Sequence, residues 1–277
     1  MVNEEKGKRI LVVIGAVLTS LFCLAPFFFM LLTALSRYVD FLRPETPFIA
    51  TFSHLRTVLT SESVHFTAYL RNSVAVSAAG ACMTVFTASL AAYAVTRISF
   101  PFHKPFMLGV LALSMFPQIS LVSYLFDIMS GLGWINTLQA LVFPYAAWTL
   151  PLSLWVLASY FSQIPEDLDK AGFIDGCSRL KVLTKILLPV AAPGLFSAGL
   201  LAFIVAFNEF LFALMLTTDY RARTIPVGIA LFQGLHGETP WGEIMAAATV
   251  TTIPVVLIAL VFQRRIIQGL TRGSIKA

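Results

Sequence analysis

The sequence predicts an all-α membrane protein of six transmembrane helices with both termini cytoplasmic, and three observations carry that expectation. The chain of 277 residues is 58% hydrophobic and 12% charged, about half the charged share of an average soluble domain. Its mean hydropathy is +0.84, more apolar surface than a water-soluble fold of this size can hide. Its apolar residues also fall in uncharged runs close to the ~20 residues a helix needs to cross a ~30 Å hydrocarbon core. A soluble enzyme and a disordered chain are excluded. The net charge of +5 invites a nucleic-acid partner, but the basic residues flank the apolar runs, as expected beside an anionic leaflet. The expected surroundings are a lipid bilayer, with no nucleic acid.

The spans follow in order. Residues 10–35 carry no charge and follow Lys6, Lys8 and Arg9. That run is too long for a signal-peptide core and lacks a small-x-small cleavage site, so a retained anchor is expected. Residues 73–95, between Arg71 and Arg97, form the second span, and 106–126, between Lys104 and Asp127, the third. Gly131, Gly133 and Asn136 mark a turn within a long uncharged stretch, leaving 138–161 as the fourth span. Residues 190–216 and 244–263 complete the six.

With an even number of spans, thirteen of the nineteen Lys and Arg residues share the side that holds both termini. The positive-inside bias makes that side cytoplasmic. Pro26, Pro117, Pro144, Pro151, Pro193 and Pro254 lie at or within spans, where each frees a carbonyl that a neighbour or cavity must satisfy. Outside, residues 36–72 place Phe48, Phe52, Leu55, Val58 and Leu59 at roughly helical spacing. A short surface helix capped by Ser53 is expected there. Cys23, Cys82 and Cys177 form no disulfide framework, and free thiols are expected.

Residues 162–189 are the most informative stretch. Pro165 suits a first helical position, and Glu166, Asp167 and Asp169 crowd the first turn, where the helix dipole favours acids. Leu168, Ala171 and Gly172 offer a small, partly apolar face, and Gly176 is placed to end the helix in a left-handed conformation. A second amphipathic piece runs from Ser178 through Leu180, Leu183 and Ile186 to Pro189, with Arg179, Lys181 and Lys185 at headgroup level.

The run from Ile164 to Gly176, followed after nine residues by Ile186-Leu187-Leu188-Pro189, resembles the EAA loop of ATP-binding-cassette (ABC) importer permeases. That pattern is Glu-Ala-Ala, three residues, Gly, nine residues, Ile-x-Leu-Pro. The spacing matches in full. Lys170 stands where the family usually has Glu, and Gly172 where it has the second Ala. Asn72-Ser73, Ala91-Ala92-Tyr93-Ala94 with Arg97, the segment 131–137, Asn208-Glu209-Phe210-Leu211, Gly269-Leu270-Thr271 and Ile275-Lys276 are similar to carbohydrate permeases of the maltose-permease type.

The resemblance implies an importer half that is not itself an enzyme. Its expected partners are a second homologous permease subunit, a cytoplasmic ATPase dimer and an extracytoplasmic sugar-binding protein. No Gly-x4-Gly-Lys-Ser/Thr phosphate loop occurs in the sequence. No cofactor is therefore expected on this chain, with ATP and magnesium used by the partner ATPase. Asp169, Lys170, Ala171, Gly172, Asp175, Gly176, Ile186 and Pro189 would couple to that ATPase. In relatives the loop corresponding to 217–243 reaches into the binding protein, which makes Gln233, Gly234, His236 and Gly237 candidates for that contact.

Glu209 is the only acid well inside an expected span, and Asn208 precedes it. Both are substrate-path candidates, with a helix–helix hydrogen bond as the equal alternative for Glu209. The four histidines show no metal-ligand spacing, and no nucleophile–base constellation is visible, so neither a metal nor a catalytic site is expected. The expected organisation is an anchor helix with an external amphipathic segment (1–71), a permease domain (72–265) containing the coupling loop (162–189), and a cytoplasmic tail (266–277). The expected location is the cytoplasmic membrane of a bacterium or archaeon. The expected cargo is a di- or oligosaccharide such as maltose or trehalose, with glycerol-phosphate compounds as an alternative. A self-contained secondary transporter or channel is the competing class, and it would require inverted repeats and midplane coupling charges.

Overall fold

A computed structural model describes residues 2–39, 48–98, 101–232 and 239–272, with side chains from residue 9 to 262 within those ranges. Every regular element among the described residues is helical. Among the described residues, four helices are long and apolar enough to cross a membrane, and up to six spans result if each of two bent helix pairs counts as one.

The contacts divide the chain into two units, Met1–Thr67 with Ile229–Pro254, and Ala68–Gly228 with Val255–Ala277. In the first unit, α1 (Val2–Ala34) is apolar on all sides from Ile10 onward, after a charged start that holds Glu4, Glu5, Lys6, Lys8 and Arg9. Among its described side chains, only Thr33 and Ala34 in its last turn are buried, and Phe22, Phe28 and Leu32 are among those exposed. A helix that is hydrophobic all round requires an apolar surrounding, so this one is built for lipid or another membrane helix. The short helix expected on the amphipathic segment is α2 (Ser53–Thr60). Ser53 does not cap it. The N-cap is Phe52, and the Thr51 hydroxyl accepts from the Ser53 backbone N–H at 3.1 Å instead. His54 ties α2 to the Ser36 carbonyl and to Glu243, each at 3.1 Å. Glu243 lies in the first turn of α13 (Trp241–Arg272).

The second unit is built around α3 (Phe66–Arg97), α6 (Gln139–Phe161) and α10 (Ala192–Phe207). Helices α6 and α10 pack against each other along an extensive contact. Small residues bring the backbones together: a Cβ on Gly194 would meet the Tyr160 ring at 2.5 Å, and one on Gly199 would meet Val85 at 3.2 Å. The Thr84 hydroxyl bonds Thr149 at 2.7 Å across α3 and α6. Such interhelical bonds in membranes average about 0.6 kcal/mol.

Two expected spans are not continuous. The third splits into α4 (His103–Ser114) and α5 (Ile119–Gly131), bent by 91°. Pro117 is the physical cause: it has no amide donor, and its ring disfavours helical geometry at Phe116. The last turn of α4 tightens first, with Met115 and Phe116 donating three residues back. The expected fifth span, 190–216, starts later and stops earlier as α10. It resumes after Asn208–Phe210 as α11 (Leu211–Leu216). At its start, an 83° bend separates α10 from the helical run Arg179–Val190. The turn before α6 is as expected, with Gly133 at φ +68° and Asn136 at φ +62°.

The packing at Gly194 gives a direct test. Overpacking a tight site typically costs about 1–3 kcal/mol, and an aromatic ring cannot swing aside as a flexible chain end can. Gly194→Ala should lower the thermal unfolding midpoint of the detergent-solubilised protein. Gly109→Ala, with nothing within 4 Å of the new methyl, should not lower it.

Candidate functional site

Loop 162–189 folds as a helix–turn–helix. Helix α7 (Asp167–Ile174) begins two residues after Pro165, not at it, because Glu166 is the N-cap. Its end is a Schellman motif: Gly176 N–H donates to the Phe173 carbonyl at 3.1 Å and Cys177 N–H to the Gly172 carbonyl at 2.9 Å. Gly176 holds the left-handed φ of +77° that this motif requires. Ser178 then caps α8 (Arg179–Val182), its hydroxyl accepting from Lys181 N–H at 3.4 Å. A π-helical turn (Leu183–Leu187) and α9 (Leu188–Val190) continue the run. The widened turn sits directly before Pro189, which has no donor to return to the preceding turn.

The loop residues separate into inward and outward sets. Asp169 is buried and pairs with Arg97 Nε at 2.5 Å, and the two side chains are 8% and 6% exposed. Arg97 Nη2 also donates to the Ile164 carbonyl at 2.7 Å. Gly172 is buried where a Cβ would meet Ile186 Cδ1 at 2.7 Å and Val182 Cγ2 at 3.0 Å. This close approach accounts for glycine in place of the usual alanine. Ile186 and Pro189 belong to the second arm, which that approach locks against α7.

Lys170, Ala171, Asp175 and Gly176 face outward. Lys170 Nζ bonds Asp167 Oδ1 at 3.0 Å, and that bond raises the Lys170 pKa. Both side chains are solvent-exposed, so the pair adds little to stability. Exposed apolar residues surround them, with Ile174 85% exposed at the end of α7. The outer surface of the loop is therefore apolar and charged side by side, on a hairpin whose interior is packed.

The path candidates sit at the second break. Asn208 ends α10, its Nδ2 donating to the Ile204 carbonyl at 2.8 Å, and the residue is exposed. Glu209 is buried and caps α11: its carboxylate accepts from Phe212 N–H at 2.8 Å and Ala213 N–H at 3.1 Å. It also accepts from Gln118 Nε2 at 2.8 Å. Gln118 precedes α5 at the first break, so one carboxylate closes the open backbone of one break and pins the other. A reading of residues 190–216 as one uninterrupted span hides this use of Glu209.

Beside the breaks lies a cavity of about 500 Å³, walled by α4, α5, α6 and α11 and including Phe116, Tyr124, Trp148 and Phe212. It offers few polar atoms and suits apolar groups.

At the other end of α3, Asn72 and Ser73 hold the segment that follows α11. Asn72 Nδ2 is shared among the carbonyls of Tyr220, Arg221 and Arg223 at 3.0–3.1 Å. Ser73 Oγ accepts at 2.8 Å from the N–H of Ile225, which opens α12 (Ile225–Ala230). Asn136 Oδ1 accepts from the Thr218 and Asp219 N–H groups at 3.0 and 3.2 Å. The Asn136 side chain, with Arg221 N–H, holds the Asp219 carboxyl below its usual pKa. In the sequence, Asn72 and Ser73 stand out only as points of resemblance. An asparagine opening an apolar span is the signal that marks them as structural. The candidates Gln233, Gly234, His236 and Gly237 lie outside the described residues.

Several apolar helices, with a packed helix–turn–helix between two of them, mark a multi-pass membrane protein. Residues 84–272 match the family described as binding-protein-dependent transport system inner membrane component, and the chain belongs to that family. Among its relatives, the trehalose/maltose transport system permease protein MalG of Thermococcus litoralis is 56% identical over 275 residues, covering 99% of each chain. The trehalose transport system permease protein SugB of Mycobacterium tuberculosis is 40% identical, covering 83% of this chain and 84% of that one. The fold is similar to a chain of a bacterial ABC transporter involved in alginate import, with TM-score 0.76 at 20% identity, covering 93% of this chain and 97% of that one. It is also similar to a chain of the MetNI methionine ABC transporter, with TM-score 0.59 at 18% identity, covering 76% and 99%.

The cap role of Glu209 has a specific signature. Glu209→Ala leaves two backbone donors open inside a span, an expected loss of about 1–3 kcal/mol. Glu209→Gln keeps one acceptor oxygen and should lose less. Thermal midpoints of the two variants in detergent check this, and equal losses would contradict the cap.

Proposed function

We propose that this chain is one permease subunit of an ABC importer and forms half of the transmembrane path for a sugar. A binding protein on the outer side delivers the sugar, and a second homologous permease and an ATPase dimer complete the assembly. Both termini and loop 162–189 lie on the cytoplasmic side, in the cytoplasmic membrane of a bacterium or archaeon. A disaccharide of the trehalose or maltose type is the favoured cargo, supported by the relatives whose names carry those sugars.

The observation that carries the reading is the outward surface of loop 162–189. Ile174 is almost fully exposed beside Lys170 and Ala171, on a hairpin whose interior is already packed around Gly172. An apolar tip on a rigid hairpin is suited to a cleft in a partner, and the proposed cleft is in the ATPase. Ala171, Asp175 and Gly176 lie on the docking side, where small residues permit close approach. Asp169, Gly172 and Ile186 act from within by holding the shape of the hairpin, and the exposed Pro189 shapes the end of its second arm. ATP and magnesium belong to the partner, and this chain contributes movement rather than hydrolysis.

Asn208, exposed at the break in the span, is the side chain proposed to meet the passing sugar. Glu209 serves the path indirectly, because its cap keeps the break open. The loop around Gln233, Gly234, His236 and Gly237 is proposed to meet the binding protein. A self-contained secondary transporter is disfavoured by membership of a family of binding-protein-dependent components.

The test begins with vesicles containing this chain alone, which should take up no sugar with ATP or with an ion gradient. Uptake driven by an ion gradient would sink the importer reading. In the assembled transporter, Gly176→Val forces a β-branched residue into left-handed geometry, at about 1–2 kcal/mol. It should weaken ATPase docking and uncouple hydrolysis from uptake while membrane insertion stays normal. Cys177 is free and next to the turn. A thiol cross-linker should join it to a cysteine placed in the ATPase cleft, with a yield that changes on ATP binding.

A further inference from the structure

Helix α3 differs from the other long spans in a way that its sequence makes plain. Helices α1, α6 and α13 carry Pro26, Pro144 with Pro151, and Pro254, whereas the 32 residues of α3 contain no proline and no break. Its two ends are held by buried polar side chains. At one end, the Arg97 guanidinium joins α3 to both the carbonyl of Ile164 and the carboxylate of Asp169, where α6 runs into the docking hairpin. At the other end, Asn72 and Ser73 hold the backbone of residues 220–225. From Asn72 to Arg97 the helical rise gives ~38 Å, enough to cross a ~30 Å hydrocarbon core.

We propose that α3 is a rigid strut linking the two membrane faces, with Arg97 and Asn72 as its end joints. It carries displacement between the ATPase-docking hairpin and the opposite loop 217–225. This inference rests on the importer reading and deepens it.

The physical basis is the cost of separation at each joint. Arg97 and Asp169 are both almost fully excluded from solvent, so sliding α7 away from α3 would strand two buried charges. The end of α3 must therefore follow the hairpin. At the far end, pulling Asn72 away would leave its buried amide without the three carbonyls it serves. Between the joints, Thr84 seats α3 on α6 through the Thr149 hydroxyl at 2.7 Å, and a Cβ on Gly80 would meet Tyr145 Cβ at 3.4 Å. With no proline and no break, and with its one glycine, Gly80, packed on α6 at Tyr145, α3 offers no hinge at which displacement could be absorbed.

The test is a double-mutant cycle on the complete transporter in proteoliposomes, measuring sugar taken up per ATP hydrolysed. Arg97→Gln and Asn72→Ala should each lower that ratio roughly five-fold or more. If both joints belong to one strut, the double variant should lose no more than the worse single variant. Cross-linking of Cys177 to the ATPase should stay at the wild-type level in all three.

Losses that multiply, or ratios that stay at the wild-type value, overturn the strut. Loss of cross-linking in Arg97→Gln also overturns it, because Arg97 would then only shape the docking hairpin. If the variants do not assemble, Arg97→Lys and Asn72→Gln take their place. Wild-type ratios in assembled complexes of those variants overturn the proposal equally. Failure of the importer reading has a different signature: wild-type complexes that neither cross-link through Cys177 nor take up sugar with ATP.

Discussion

A membrane interior supplies no water to backbone groups, and the second unit of this protein is organised by that constraint. Every carbonyl freed by a proline and every amide exposed by a break needs a partner within the protein. Glu209 shows how the requirement is met. Its carboxylate accepts from two backbone amides of α11 and from the Gln118 side chain. One buried acid thus permits two helices to be interrupted at facing points. Helix α3, without proline, frees no carbonyl of this kind along its length.

Broken and unbroken helices have different mechanical roles. A bend of 91° between α4 and α5 and the gap after α10 leave short pieces whose relative position depends on side-chain bonds. The hairpin α7–α9 is stiff for the opposite reason, since Gly172 lets its two arms touch and Gly176 closes the turn without strain. A stiff hairpin attached to an unbroken helix transmits displacement, and interrupted helices accommodate it. The Arg97–Asp169 pair is the point where these two behaviours meet.

Much of this is legible in the residues. The fixed spacing from Gly176 to Ile186 and Pro189 foretells the helix–turn–helix, because a left-handed glycine and a donor-free proline leave few other conformations. Gly133 and Asn136 foretell the turn before α6 by the same chemistry. The breaks are less legible. Pro117 is visible, but proline in a membrane helix can bend, kink or break it, and only the surrounding packing decides. Ser53 has a cap-forming side chain, yet Thr51, two residues earlier, supplies the bond. Glu209 is conspicuous as an intramembrane acid, whereas its role depends on Gln118, ninety-one residues away in sequence. Asp169 lies in the helix–turn–helix of loop 162–189, but its inward orientation follows from Arg97 at the end of a distant span.

The rigidity of α3 between its two joints is best measured as a distance. Spin labels at Cys177 and at Arg221→Cys, with Cys23 and Cys82 replaced by Ser, place one probe on the hairpin that Arg97 holds and one on the segment that Asn72 holds. Dipolar spectroscopy on the assembled transporter, nucleotide-free and ATP-bound under conditions that support uptake, reads their separation. A strut requires that this distance stay the same in both states, while the distance from Cys177 to a label at Met115→Cys, beside the α4–α5 break, changes. A shift of about 5 Å, one helical turn, between the labels at positions 177 and 221 would contradict the strut.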